Sequence, residues 1–279
     1  MMKTYRRDID ALRAISVIFV IFFHLKLPFF DSGFLGVDIF FVISGFLITK
    51  IIIEDIKLKK FSISHFYLRR VRRIIPLVLV VSISSYFIAY FILFPDELSQ
   101  FKTNLFYVNT FVSNFWYYFK GSYFSPINDS DPLIHFWSLS VEEQYYLFYP
   151  LLFIIFLKNK NNKTVTLIFL IFTLLSLILS QFGGNLKYKY PFIEEDFKFF
   201  SIPEFAFYST FTRAWEILLG CMSAIYASNN PNIKNQKLLV NISFYLLIIF
   251  FFIVKKEFPH PSILTLIPIL FTVIILIYN

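Results

Sequence analysis

Eight long apolar stretches constrain this chain more than any other feature: Ala14–Phe30, Phe34–Thr49, Ile74–Phe94, Val141–Leu157, Val165–Phe182, Phe211–Ala227, Leu238–Val254 and Ser262–Tyr278. A bilayer-spanning helix needs about 20 mostly apolar residues, with roughly 17–25 tolerated. Lipid offers no partner to backbone N–H and C=O groups, so such stretches must form helices. The expectation is an all-α polytopic integral membrane protein with about eight transmembrane helices. A ninth stretch, Leu105–Phe119, is bracketed and interrupted by Asn104, Asn109 and Asn114 and is expected to lie at the interface or re-enter. Composition agrees: 57% of residues are hydrophobic and only 16% charged, against about 25% charged in soluble domains.

The charge pattern sets the topology. With the N-terminus in the cytoplasm, most of the 26 Lys and Arg fall on the inner side, as the positive-inside rule requires. They include Lys3, Arg6, Arg7 and Arg13 before the first span and Lys57 to Arg73 before the third. The net charge of +8 is thereby explained without nucleic acid. One cysteine, Cys221, excludes intrachain disulfides, and four scattered histidines form no zinc motif. The first apolar run lacks a small-residue cleavage site and reads as an anchor rather than a cleaved signal. The outer loops, Pro95–Ser140 and Gly183–Thr210, are rich in Tyr, Phe, Trp, Asn and Asp. They suit sugars or lipid headgroups, or equally an interfacial aromatic belt.

Ionisable residues inside spans are costly and mark functional sites. Arg13 and His24 are separated by ten residues without a charge, which places them on one helix face about 16 Å apart along the axis. Arg13 is a boundary anchor or a cavity residue; His24 is a packing histidine or a chemical one. Asp38 opens the second span, where it reaches the level of His24 and fixes its tautomer, or simply caps a helix N-terminus. Arg69, Arg70, Arg72 and Arg73 form an all-arginine cluster, whereas the later inner loops use lysine. A planar guanidinium pairs bidentately with phosphate, so the cluster is either a phosphate site or plain topology signal. Ser140 and Glu143 fit a capping box, while Glu142 shares a face with Tyr146 and Tyr149 and points into the bundle. Arg213 and Glu216, at i and i+3, are expected to pair within one helix, and Gly220 allows another helix to approach.

Several chemistries lack their motifs. Ser130, Asp131 and His135 carry no G-x-S-x-G elbow, and no histidine is followed four or five residues later by an acid. Walker and dinucleotide glycine patterns are absent.

Five motifs then occur in order: DIDALRAISVIFVIFFH, GFLGVDIFFVISGFLIT, FYLRRVRRIIP, LIHFWSLSVEEQYYLFYP and FYSTFTRAWEILLG. In sequence and spacing the chain resembles the membrane-bound acyltransferase-3 family of bacterial O-antigen, peptidoglycan and exopolysaccharide O-acetylases, over residues 5–225 and more weakly to the end. The resemblance implies transfer of an acyl group, most often acetyl, from cytoplasmic acetyl-CoA to a hydroxyl of an extracytoplasmic glycan such as lipopolysaccharide O-antigen. It implies a multi-pass protein of the bacterial inner membrane and no metal. His24 would be the general base or a transient acyl carrier, with Arg13, Asp38 and Glu142 in the catalytic set. Arg69, Arg70, Arg72 and Arg73 would hold coenzyme A phosphates, and Glu143, Arg213 and Glu216 would be structural polar groups. Expected partners are the bilayer, the glycan acceptor and a separate periplasmic acyl-accepting protein. The last helices of the family and an appended periplasmic esterase-like domain are missing, so residues 1–279 are expected to be one C-terminally truncated membrane domain. A glycan or lipid-linked sugar transporter is the competing reading, and an inactive fragment a third.

Overall fold

The computed structural model describes residues 6–120, 131–158, 162–189, 203–233, 236–255 and 260–279. Among these, every regular element is helical: α1 Arg7–His24, α2 Leu35–Lys57, α3 Ile63–Ile92, α4 Pro95–Asn109, α5 Ser113–Lys120, α6 Phe136–Lys158, α7 Asn162–Lys189, α8 Pro203–Tyr208, α9 Thr210–Asn229, α10 Lys237–Ile253 and α11 Leu266–Tyr278. Short 3-10 turns at Pro231–Ile233 and Ile263–Thr265 precede α10 and α11. Parts of both outer loops, residues 121–130 and 190–202, lie outside the described residues, as do Lys160 and Lys234.

Helix α2 is the axis of the bundle. It packs against α1, α6, α9 and α11, most extensively against α9. Glycine makes that approach possible. A Cβ on Gly45 would overlap the Ile217 carbonyl of α9, and one on Gly220 would overlap the Val42 carbonyl of α2. Each backbone therefore occupies the other's missing side chain, the small-residue packing that brings helices together where lipid gives no hydrophobic drive.

Helix α3 lies at the periphery with a continuous apolar face turned outward. Leu77, Val80, Ile83, Phe87 and Phe91 are each more than three-fifths exposed. A water-facing surface rarely carries so large an apolar patch; lipid is the solvent that suits it. Two helices, Leu35–Lys57 and Ile63–Ile92, are long and apolar enough on their own to cross a bilayer. Thr166–Phe182, Lys237–Ile253 and Ile263–Tyr278 are shorter apolar helices. Among the described residues the fold is thus all-helical, and two of the eight expected spans meet the length and composition requirement.

Boundaries depart from the apolar windows in informative ways. Helix α1 stops at His24 instead of running to Phe30, so the imidazole ends the helix. Helix α3 starts at Ile63, with the Ser62 hydroxyl accepting the His65 N–H. The arginine cluster therefore sits inside a helix, not in a loop before it. The Asn-bearing stretch is two short helices, α4 and α5, each shorter than a spanning helix.

Candidate functional site

A cavity of about 650 Å³ opens between α1, α2, α3 and α6, well within the usual size of ligand sites of about 300–1,000 Å³. Arg13, Arg70, Arg73 and Glu142 supply its charged groups. Ser44 and Tyr146 add hydroxyls, and Val17, Ile18, Phe40, Ile74 and Leu139 an apolar wall. Three guanidiniums against one carboxylate make the lining strongly positive.

Each charged group reaches this space for a local reason. Arg13 follows Asp10 by one turn, with its Nη1 3.9 Å from the carboxylate, and Val17, one turn further, also lines the cavity. On α3 the four arginines fan around the helix at about 100° per residue. Arg70 and Arg73, three apart, share the inward face. The Arg70 guanidinium lies 5.7 Å from the Phe66 ring and 5.3 Å from that of Tyr146, a cation–π sandwich that fixes its direction. Arg69 turns away to Asp55 at 2.6 Å, and Arg72 is exposed and absent from the lining. The expected four-arginine site is thus two arginines of α3 joined by Arg13 of α1.

Glu142 points inward as its helical phase predicts. The Ser44 hydroxyl of α2 donates to its Oε1 at 2.6 Å, and the Tyr146 hydroxyl approaches Oε2 at 3.4 Å. Its neighbour behaves differently from expectation. Helix α6 begins at Phe136, a full turn before Ser140, and the Ser140 hydroxyl bonds Ser113 at 2.8 Å. The capping box with Glu143 therefore does not form, and Glu143 Oε1 is buried without a hydrogen bond among the described residues.

Asp38 belongs to a second polar centre. It starts α2 on a face about 120° from Ser44, since six residues advance a helix by 600°. That face meets α9, where Arg213 Nη2 donates to Asp38 Oδ1. Arg213 Nη1 also stands 3.1 Å from Glu216 Oε1, the expected i, i+3 pair, and 3.1 Å from His260 Nε2. Phe41, Trp137 and Phe207 surround the guanidinium at 5.3–5.9 Å. Arg213, Asp38 and Glu216 are fully buried. The expected service of Asp38 to His24 is replaced by this ion pair, which cross-links α2 and α9. His260, with no signal in its own neighbourhood of sequence, joins through the tertiary fold alone.

His24 stands apart from the cavity lining. Its ring meets His135 edge-on at 4.4 Å and Phe23 at 5.1 Å. His24 lies seven residues beyond Val17 on α1, and His135 seven before Glu142, in the turn that leads into α6. Both offsets are two turns, about 10 Å, so the paired imidazoles form the next polar layer past the cavity. Burial holds the His135 imidazole below its ordinary value, against the opposing pull of Asp131. The sequence around His135 offers no serine-hydrolase context; its partner is another histidine, from a distant helix. Among the described residues no cluster of three or more His, Cys, Asp or Glu is arranged to hold a metal.

In sequence the chain is similar to curated bacterial proteins. The chain is 36% identical over 230 residues to the peptidoglycan O-acetyltransferase OatA of Listeria monocytogenes, covering 80% of this chain and 34% of that protein. It is 32% identical over 236 residues to the putative peptidoglycan O-acetyltransferase YrhL of Bacillus subtilis, covering 79% and 33%. A putative O-acetyltransferase of Staphylococcus aureus is 32% identical over 269 residues, covering 91% and 41%. The chain thus spans about a third to two-fifths of the curated relatives it matches. No solved structure matches it. The acyltransferase-3 profile, described as an acyltransferase domain, matches residues 6–278, and the chain belongs to that family.

Proposed function

We propose that this chain is the membrane-embedded acyl-transfer unit of a cell-wall O-acetylating enzyme, multi-pass in the inner membrane with its N-terminus in the cytoplasm. The donor is acetyl-CoA and the acceptor a hydroxyl of a cell-surface glycan, which receives the group directly or through a separate periplasmic acyl-accepting protein. One observation carries the reading: the positive cavity between α1, α2, α3 and α6. Guanidiniums of Arg70, Arg73 and Arg13 suit a ligand with several phosphates. The apolar wall that rises from them along α1 suits the uncharged arm and thioester.

On this reading His24 acts as general base. Its imidazole takes the proton of the acceptor hydroxyl, and the oxygen attacks the thioester carbonyl. The C–S bond breaks, and the departing thiolate recovers the proton from the imidazolium. One ester and one free thiol result. His135 supports the His24 ring from the outer side. Glu142, held by Ser44, balances the guanidiniums when no donor is bound. The O-acetyltransferase names of the relatives support acetyl as the group, and the peptidoglycan in two of those names supports a wall glycan as the acceptor.

The test uses the full chain in lipid nanodiscs with acetyl-labelled acetyl-CoA and soluble peptidoglycan fragments. Label should move to alkali-labile ester on the glycan and should not with His24→Ala, which leaves coenzyme A binding intact. Undiminished transfer by His24→Ala overturns the assignment of that residue. Absence of any coenzyme A binding overturns the reading of the cavity.

A further inference from the structure

A second cavity of about 750 Å³ lies between α3, α4, the end of α5 and the turn at Asp131. Ser85, Gln100, Asn104, Lys120 and Asp131 are among its polar lining groups, with Glu97 at the same wall. Ile88, Ile92, Leu93 and Phe101 form its apolar side.

A built network holds the polar groups. The Asn104 side chain, 4% exposed, donates to Asp131 Oδ2 at 2.5 Å and accepts from Trp116 Nε1 at 2.8 Å. Asp131 also accepts from the Tyr117 hydroxyl at 3.0 Å and from the Leu133 N–H at 3.0 Å, with Lys120 Nζ 3.9 Å away. Trp116 in turn stacks on Tyr107, with centroids 4.4 Å apart and planes 11° from parallel. Each amide and carboxylate keeps capacity beyond these bonds: Asn104 has a second N–H, and a carboxylate has about four acceptor sites.

The charge of this space is opposite to that of the first. Among the described residues of its lining, Glu97 and Asp131 stand against Lys120, so an anion is disfavoured where it is favoured in the arginine cavity. Mixed donors and acceptors above an apolar wall instead fit a neutral polyhydroxyl ligand, whose C–H faces lie on the wall and whose hydroxyls meet the amides and the carboxylate.

Position relates the two cavities. Ile74 of the first and Ser85 and Ile92 of the second fall on one stripe of α3, because 11 and 18 residues are close to whole numbers of turns. Ile74 and Ser85 stand about 16 Å apart along the axis. On α6 and the turn before it, Asp131 and Pro132 line the second cavity, and Leu139 and Glu142 line the first. His135, against His24, falls between them.

We propose that this second cavity binds the acceptor as a neutral stretch of amino-sugar glycan, and so presents its hydroxyl to the histidine pair from the side opposite the donor. The proposal rests on the acyl-transfer reading above for the word acceptor, but its test is binding. The full chain in nanodiscs is titrated with chitotetraose, a soluble N-acetylglucosamine oligomer, and separately with coenzyme A. Ser85→Trp, which fills the cavity from α3 and replaces no member of the Asn104–Asp131 network, should weaken the oligosaccharide at least tenfold and leave coenzyme A unchanged. Asp131→Asn should do the same. Saturable chitotetraose binding that is equal in the unchanged chain and Ser85→Trp overturns the site. So does no saturable oligosaccharide binding by a chain that still binds coenzyme A, or occupation by lipid alone that the sugar does not displace. If both ligands bind as stated and no ester forms, the acyl-transfer reading fails while this site stands.

Discussion

Ser44 on α2 donates a 2.6 Å hydrogen bond to Glu142 on α6 across the positive cavity. This bond places a carboxylate among three guanidiniums at the junction of two helices that sequence alone does not connect. Glu142→Gln keeps the size and an acceptor for Ser44 but removes the charge. The lining becomes more positive, so KM for acetyl-CoA should stay the same or fall. If the carboxylate takes part in turnover, kcat should fall at least tenfold. Steady-state kinetics in nanodiscs separates the two parameters; equal kcat in Glu142→Gln and the unchanged chain reduces Glu142 to a packing role.

The arginine fan gives a sharper contrast within a single motif. Arg70 and Arg73 line the cavity, whereas Arg69 pairs with Asp55 and Arg72 is absent from the lining. A hydrogen bond to a charged group contributes about 1.5–3 kcal/mol, or roughly 10- to 100-fold in binding. Arg70→Ala and Arg73→Ala should therefore each raise the dissociation constant for coenzyme A by about that factor. Arg69→Ala and Arg72→Ala should change it less than threefold, which equilibrium binding on all four variants will decide.

The same contrast shows what the sequence holds and what it does not. Helix type and approximate position are legible from apolar length, and the inward aim of Glu142 follows from its phase with Tyr146. Gly220 as a close-approach position is legible too. Which arginines face inward is not, because the helix start at Ile63 lies eleven residues before the apolar window. Asp38 misleads for a related reason: a residue at the start of a central helix has several neighbours, and periodicity cannot rank them. His135 and His260 are invisible because their partners, His24 and Arg213, come from far along the chain. The five motifs carried the family, since their order is a property of the whole chain rather than of one site.

Arg213 is the residue whose loss should cost the fold most. It is fully buried, bonded to Asp38, 3.1 Å from Glu216 and enclosed by three aromatic rings. Arg213→Met leaves two carboxylates in the core without a cation. Breaking one side of a buried pair costs about 3–5 kcal/mol, so little folded protein should be recovered from membranes. The double variant Arg213→Met with Asp38→Asn should recover part of the loss. Thermal melts in detergent measure both; independent effects of the two substitutions would show that the α2–α9 ion pair does not bind the helices together.

His260 links that centre to pH. It lies in the segment between α10 and α11, almost completely buried, with Nε2 3.1 Å from Arg213 Nη1 and 3.5 Å from Asp38 Oδ1. A guanidinium offers only donors, so the shorter contact requires the Nε2 lone pair; the Nδ1 proton then points to Thr265 Oγ1 at 3.4 Å. The ring is held neutral, and burial lowers its pKa below the ordinary histidine value, with Asp38 opposing. An unfolded chain takes up a proton near pH 6.5 that the folded site resists. The unfolded state therefore binds more protons as pH falls through that value, and stability drops. Melting temperatures measured in detergent from pH 8 to pH 5 should decline toward the acid end, and His260→Asn should flatten part of that decline. A rise in stability on acidification would instead mean that Asp38 outweighs burial and that the folded ring carries the proton.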